Sequence, residues 1–265
     1  MVDLISIAIP TFDRVDFLIP LIISIRSKCE LIPIIVVDDC SNDSTIPEIK
    51  KLQKNFKNIH LIQNSINRGR SNSRNIALKS CNTKYIFFLD SDDKLIETWP
   101  SVFAEAINLF DQLSESISTI TFNLNFSGFH YINKYFEYNY AEQALYNGKF
   151  LCSCSSGLHK LSVLKNYSFD PEMDICEDIK LWIELCTNYN FFHIPRTISL
   201  YKPSKGNISF KKKIKALLNI DTNSVIQDQL IYNLIFSSII NNEKKFSIKS
   251  SKLFSFIWYV LKFFK

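Results

Sequence analysis

Asp90, Ser91, Asp92 and Asp93 follow directly on the apolar run YIFFL at 85–89, and three carboxylates so placed call for a compensating charge. Two of them, Asp90 and Asp92, are one residue apart. That spacing can put two oxygens on one hard cation, and Mg²⁺ or Mn²⁺ held this way commonly bridges substrate phosphates as well. A short, aromatic-rich apolar run reads as a strand buried in a parallel sheet. Open α/β sheets bind their ligands beyond the carboxyl ends of such strands. The plainer alternative is that Asp92 or Asp93 caps the helix that follows. A second acidic pair, Asp38 and Asp39, ends the apolar run at 32–37, where Asp39 and Ser41 could equally cap the next helix. Two strands that both end in carboxylates load one rim with negative charge, which is costly without a cation or a ligand's hydrogen-bond donors.

The elements that would position these groups alternate in regular order. Strands are predicted at 4–9, 32–37, 59–63 and 85–89, with helices at 16–27, 44–56 and 71–80 between them. This βαβαβαβ order implies a mostly parallel α/β sheet with helices on both faces. Pro47 falls in the first turn of the second helix, where its missing N–H costs nothing. Beyond Trp99 the pattern loosens. A helix is expected at 101–113, a strand at 117–126 pairing with 129–135, a helix at 177–189, and β-like runs at 191–194 and 197–201. Helices are expected to dominate from 211 onward.

At 265 residues, with 46% hydrophobic and 22% charged residues, the chain has the makeup of a folded domain with an appendage. The seven cysteines are scattered without C-x-x-C spacing, as in a reducing compartment, and Met1 to Leu4 lead straight into a strand-like run without a leader pattern. The net charge of +5 is unevenly shared. Residues 205–265 carry +8 and residues 1–204 carry −3, so the basic character belongs to the C-terminal part. Its last stretch, 246–265, sets Leu253, Phe256, Ile257, Val260, Leu261 and Phe264 on one helical face, with Lys252 and Lys262 among the residues opposite. The run is too short to span a bilayer. It suits either the interface of an anionic membrane or the domain's own surface. Lysines without interleaved arginines and aromatics argue against nucleic-acid readout.

Four motifs, taken in order, resemble the inverting glycosyltransferases of family 2, which share the GT-A fold: ISIAIPTFDR at 5–14, IIVVDDCSNDST at 34–45, NRGRSNSRN at 67–75 and YIFFLDSDD at 85–93. The likeness is strong over 4–95, weaker over 96–205 and absent beyond. It implies a nucleotide-sugar-binding half at 1–95, an acceptor-binding half of the same domain at 96–205, and a basic helical extension at 206–265.

The resemblance also implies roles. Pro10, Thr11 and Phe12 wall a nucleoside pocket, with phenylalanine where the family often has tyrosine. Asp39 pairs with the uracil edge, with Asp38 beside it, and Arg74 lies near the base or diphosphate. Asp90 and Ser91 face the nucleotide, and Asp90 and Asp92 hold Mn²⁺ or Mg²⁺. The segment CEDIKLW at 176–182 is similar to the family's E-D-x-x-x-W, which makes Asp178 the general base and puts Glu177 and Trp182 at the acceptor sugar. Glu177 and Asp178 could instead serve only the dipole of the helix they begin. Lys202 or Lys205 is expected to close over the diphosphate, with Gly206 as hinge. The implied reaction moves a hexose from a UDP-sugar to a saccharide hydroxyl with inversion, giving a β-linkage. The acceptor is expected to be lipid-diphosphate-linked, in bacterial surface polysaccharide such as O-antigen, and the protein to sit peripherally on the cytoplasmic face of the plasma membrane. Two other classes stay open. One is a nucleotidyltransferase, which would want a glycine-rich phosphate loop. The other is a non-catalytic basic membrane-binding module on a doubly wound fold. A dinucleotide oxidoreductase is excluded by the absence of a glycine-rich turn after the first strand.

Overall fold

β-Branched and aromatic residues fill the first strands so completely that both faces must be covered. Every residue of the second strand, IIVVD, is buried, as is every residue of the fourth, YIFF. The computed structural model describes residues 3–125, 132–139 and 153–200, together with residue 216. Strand β1 (Ile5–Thr11) leads through helix α1 (Val15–Lys28) to β2 (Ile34–Asp38), α2 (Thr45–Asn55), β3 (Ile59–Gln63), α3 (Gly69–Ser80) and β4 (Tyr85–Phe88). These four strands lie in the order β3-β2-β1-β4, all parallel. Chain order reverses at β1, so a crevice opens beyond the carboxyl ends of β1, β2 and β4.

Short β5 (Lys94–Leu95) and helix α4 (Trp99–Phe110) follow, then β6 (Ile117–Asn125), β7 (Phe136–Tyr138), β8 (Gly157–Lys160), the short helix α5 (Leu161–Leu164), α6 (Glu177–Leu185) and β9 (Asn190–Leu200). Nine strands among the described residues form one sheet, β3-β2-β1-β4-β8-β6-β9-β5, with β7 on β9. β8 enters antiparallel between β4 and β6, and β6 runs parallel to β9. The parallel order of the first half therefore gives way to mixed pairing in the second. Helix α4 covers this junction with aromatics: Tyr85 stacks on Phe110 at 4.7 Å, and Phe103 meets Phe87 and Trp99 edge-on.

Differences from the sequence-based expectation have local causes. Helix α4 starts at Trp99 rather than Ser101 because Pro100 sits inside the first turn, where proline is tolerated. Of the strand expected at 129–135, the described residues 132–135 form none; β7 begins only at Phe136 and pairs antiparallel with β9 rather than with β6. The two β-like runs at 191–194 and 197–201 are a single strand to Leu200, with a register shift near Pro195 where Phe122 and Asn123 face Ile194 and Thr197. Compact units divide the chain into 1–140 with 150–207, and 141–149 with 208–265; apart from residue 216, the described residues belong to the first. Among the described residues no helix is long and apolar enough to cross a membrane. The terminal amphipathic stretch at 246–265 lies outside them.

Candidate active site

Strand β2 delivers Asp38 and Asp39 to the crevice, and each finds a different use. Asp39 is buried and accepts from Asn64 Nδ2 at 2.7 Å, the Arg68 amide at 2.9 Å and the Gly69 amide at 2.7 Å. It therefore anchors the start of α3, thirty residues away, and not α2. That start needs a left-handed residue, and Gly69 supplies it at φ +84°. A Cβ at Gly69 would meet nothing within 4 Å. Gly69→Ala is thus expected to cost about 1–2 kcal/mol through backbone strain alone, and Gly69→Asn less, measured by urea unfolding. Equal losses in the two variants would rule out strain as the cause. Helix α2 is capped instead by Asp43, whose Oδ1 accepts from the Thr45 amide at 2.9 Å and whose Oδ2 accepts from the Val15 amide at 3.1 Å.

Asp38 accepts from the Ser41 amide through Oδ2 at 3.1 Å, while its buried Oδ1 has no hydrogen-bond partner. The buried hydroxyl of Thr11, its register partner on β1, has none either. Two adjacent strand ends therefore carry a buried acceptor and a buried hydroxyl without hydrogen-bond partners. Such atoms in a crevice are what a ligand's polar edge would satisfy. Pro10, within β1, is half-buried, and Phe12, just past its end, is 41% exposed.

The centre of the site is Arg74, 2% exposed on α3. Its Nη2 donates to Asp90 Oδ1 at 2.7 Å, and its Nη1 donates to Glu177 Oε1 at the start of α6. Burial works against the guanidinium's charge, but Cys154 and the carboxylates of Asp90, Glu177 and Asp178 outweigh it and raise its pKa well above the ordinary value. Burial would raise Asp90, yet Arg74 and then Arg70 hold its carboxyl below the usual range. Asp90 is also fixed through its backbone, whose amide donates to Ser155 Oγ at 3.2 Å. Asp92 meets the half-buried Arg14 at 3.3 Å. One oxygen of each D-x-D carboxylate is thus turned to an arginine, and the other oxygens are hard donors one residue apart. Two such carboxylates suit a cation that takes its remaining ligands from water and a diphosphate. Among the described residues no cluster of three or more His, Cys, Asp or Glu side chains could hold a metal ion by itself.

Asp178 stands beside this network. Burial, and then the neighbouring charge of Glu177, push its carboxyl up to about 7, against the pull of Arg74 and of the Ile179 amide that donates to it at 2.9 Å. A carboxylate at the start of a helix, poised near neutrality in a crevice, has the properties of a general base.

The model of the family described as "Glycosyl transferase family 2" matches residues 6–164, which carry the whole crevice except α6. This chain belongs to that family. Among its relatives, the Escherichia coli protein WfaP, a UDP-Glc:alpha-D-GlcNAc-diphosphoundecaprenol beta-1,3-glucosyltransferase, is 30% identical over 69% of this chain and 70% of its own length. The minor teichoic acid biosynthesis protein GgaB of Bacillus subtilis is 29% identical over 66% of this chain, which spans only 20% of GgaB. Staphylococcus aureus TarS 1–349, solved with UDP-GlcNAc, superposes with a TM-score of 0.66 over 94% of this chain and 77% of its own at 18% identity, a likeness of fold. The GT-A architecture implied by the motif order is the one found.

Within the family 2 fold the sequence-derived residues do not all share one setting. Thr11, Asp38, Asp39, Arg74, Asp90, Ser91, Asp92, Glu177 and Asp178 gather at the carboxyl ends of β1, β2 and β4 and the starts of α3 and α6. Trp182, expected at the acceptor, is fully buried: it stacks on His159 at 4.5 Å and meets Phe169 and Phe191 edge-on. It presents no surface to a saccharide here and instead supports the helix that carries Asp178. Glu177 is likewise buried on Arg74. His159 shares this core; burial pulls its pKa down to about 3 and keeps it neutral, with Nδ1 3.0 Å from the Thr119 hydroxyl. Lys202 and Lys205 lie outside the described residues. No sequence motif marks Ser155, which arrives on the 3₁₀ turn before β8 and also accepts from Ser199 Oγ through its carbonyl at 2.6 Å. Arg14 stood in the first motif without a role.

Proposed function

We propose that this chain is a metal-dependent inverting hexosyltransferase that uses a UDP-sugar. The observation that carries the reading is the placement of Asp178 at the start of α6, next to the Glu177 that Arg74 ties to Asp90 of the acidic strand end. In the reaction, Asp178 accepts the proton of an acceptor hydroxyl as its oxygen attacks C1 of the sugar. The bond from C1 to the diphosphate oxygen breaks, and its electron pair leaves with UDP. Attack opposite the leaving group turns an α-linked donor into a β-linked product. Thr11 and Asp38 offer their unpartnered polar atoms to the nucleoside, and Phe12 offers its ring. Asp39 supports the wall by fixing α3. Asp90 and Asp92 would hold Mn²⁺ or Mg²⁺, which supplies positive charge at the departing diphosphate.

Residues 1–95 form the donor half in this reading and 96–205 the acceptor half. The acceptor class, a lipid-diphosphate-linked saccharide in bacterial surface-polysaccharide assembly, is supported by what WfaP acts on and by the basic, amphipathic 206–265 segment. That segment would hold the enzyme peripherally on the inner face of the plasma membrane. A thermal-shift panel of UDP, GDP and UDP-sugars with and without Mn²⁺ tests donor and metal together. UDP at a hundredfold excess over its metal-free Kd is expected to add about 2.7 kcal/mol of stability, more at the same UDP concentration with Mn²⁺, and the Mn²⁺ increment is expected to vanish in Asp92→Ala. A shift with GDP alone would refute the donor, and an increment that survives Asp92→Ala would refute the metal site.

A further inference from the structure

Helix α3 holds the segment leading to α6 at three points on one face. Ser71 Oγ donates to the Met173 carbonyl at 3.1 Å, Arg74 bonds Glu177, and Asn75 closes a reciprocal pair with the Phe169 backbone. In that pair Asn75 Nδ2 donates to the Phe169 carbonyl at 2.7 Å, and the Phe169 amide donates to Asn75 Oδ1 at 2.8 Å. Positions 71, 74 and 75 have the i, i+3, i+4 spacing that aligns side chains on one helix face. The Arg74 guanidinium also lies 5.5 Å over the Phe169 ring, and Phe169 is fully buried against Phe88 of β4. At the far end, Cys176 takes a left-handed conformation, φ 61°, immediately before Glu177 and Asp178. A non-glycine residue keeps that geometry only when its surroundings impose it.

We propose that Asn75, with Ser71 and Arg74, is a positioning residue for Asp178. Helix α3 is the mount on which the 169–177 arm fixes the base, and the same arginine ties that arm to Asp90 on the donor side. This rests on Asp178 being the base. A bound geometry that is off by about 1 Å costs on the order of 100-fold in rate. An arm with no regular structure from 165 to 176 cannot reach that accuracy without such ties.

Asn75→Ala tests this in the full chain, with hydrolysis of UDP-glucose and UDP-N-acetylglucosamine, water standing in for the acceptor. The expected result is a kcat lower by about 100-fold, with donor KM and the UDP thermal shift within about twofold of wild type. Asn75→Ala in the Asp178→Asn background is expected to change the residual rate by less than about twofold, because a residue that acts through Asp178 has nothing left to position. If Asn75→Ala fails to fold, Ser71→Ala carries the same pair of measurements with a loss of roughly fivefold. A raised donor KM at unchanged kcat, or an undiminished effect on top of Asp178→Asn, overturns the inference while leaving the base in place. Wild-type turnover by Asp178→Asn overturns the base and the inference together.

Discussion

Asp178→Asn is expected to lower sugar transfer by about 10²–10⁴-fold, to leave UDP binding unchanged, and to make the protein more stable at pH 8 than the wild type. The loss follows from removing the proton acceptor. In wild type only the ionised carboxylate accepts the proton, so the rate at low substrate should rise with pH and level off above about 7, the value to which burial and Glu177 push Asp178. The stability effect has the opposite sign. In the unfolded chain this carboxyl ionises near its ordinary value of 3.8, so between there and about 7 the folded state binds the extra proton. Stability therefore falls as pH rises across that window and is constant above it. Asparagine does not titrate, so the melting-temperature advantage of Asp178→Asn should grow from pH 4 to pH 7. Measured together, rate and melting temperature should change through the same window. An acid limb that persists in Asp178→Asn assigns the base to another group.

The parts of this molecule that were legible in the sequence are those set by local pattern. β3 was expected and is found at 59–63, and the other early strands and helices lie within about two residues of their predicted bounds. A run such as IIVV has one stable use, and Gly69 before a helical segment marks a start. The groups meant for chemistry were legible as types but not as partners. Asp39 reads as a ligand carboxylate or a cap for the next helix, yet it holds Gly69, a contact across thirty residues that no local spacing encodes. Arg74 reads as a basic residue near a base or diphosphate, but its burial depends on where α6 packs, 103 residues later. Trp182 shows the same limit: a tryptophan on an amphipathic helix can face ligand or core, and only the aromatic cluster of His159, Phe169 and Phe191 decides between them. Asn75 sat in the third motif without a role because its partner is backbone, which leaves no trace in side-chain identity.

Arg74→Met is expected to lose about 3–5 kcal/mol of folding stability, because it strands a carboxylate that water cannot reach. Glu177 has a side chain only 5% exposed, while Asp90, the other partner, is 31% exposed and can be rehydrated. The two links are therefore unequal despite similar geometry. A double-mutant cycle by urea unfolding should give a large coupling between Arg74 and Glu177 and one below about 1 kcal/mol between Arg74 and Asp90, the range of solvated pairs. Adding Glu177→Gln to Arg74→Met removes the stranded charge and should recover most of the loss. If the double variant is no more stable than Arg74→Met, the cost lies in the packing of the guanidinium over Phe169 rather than in charge. The same comparison separates folding from chemistry. A stable Arg74→Met/Glu177→Gln protein keeps the Ser71 and Asn75 ties but lacks the link from Asp90 to the arm. Its turnover then measures how much of the accuracy of Asp178 depends on the arginine that joins donor and base.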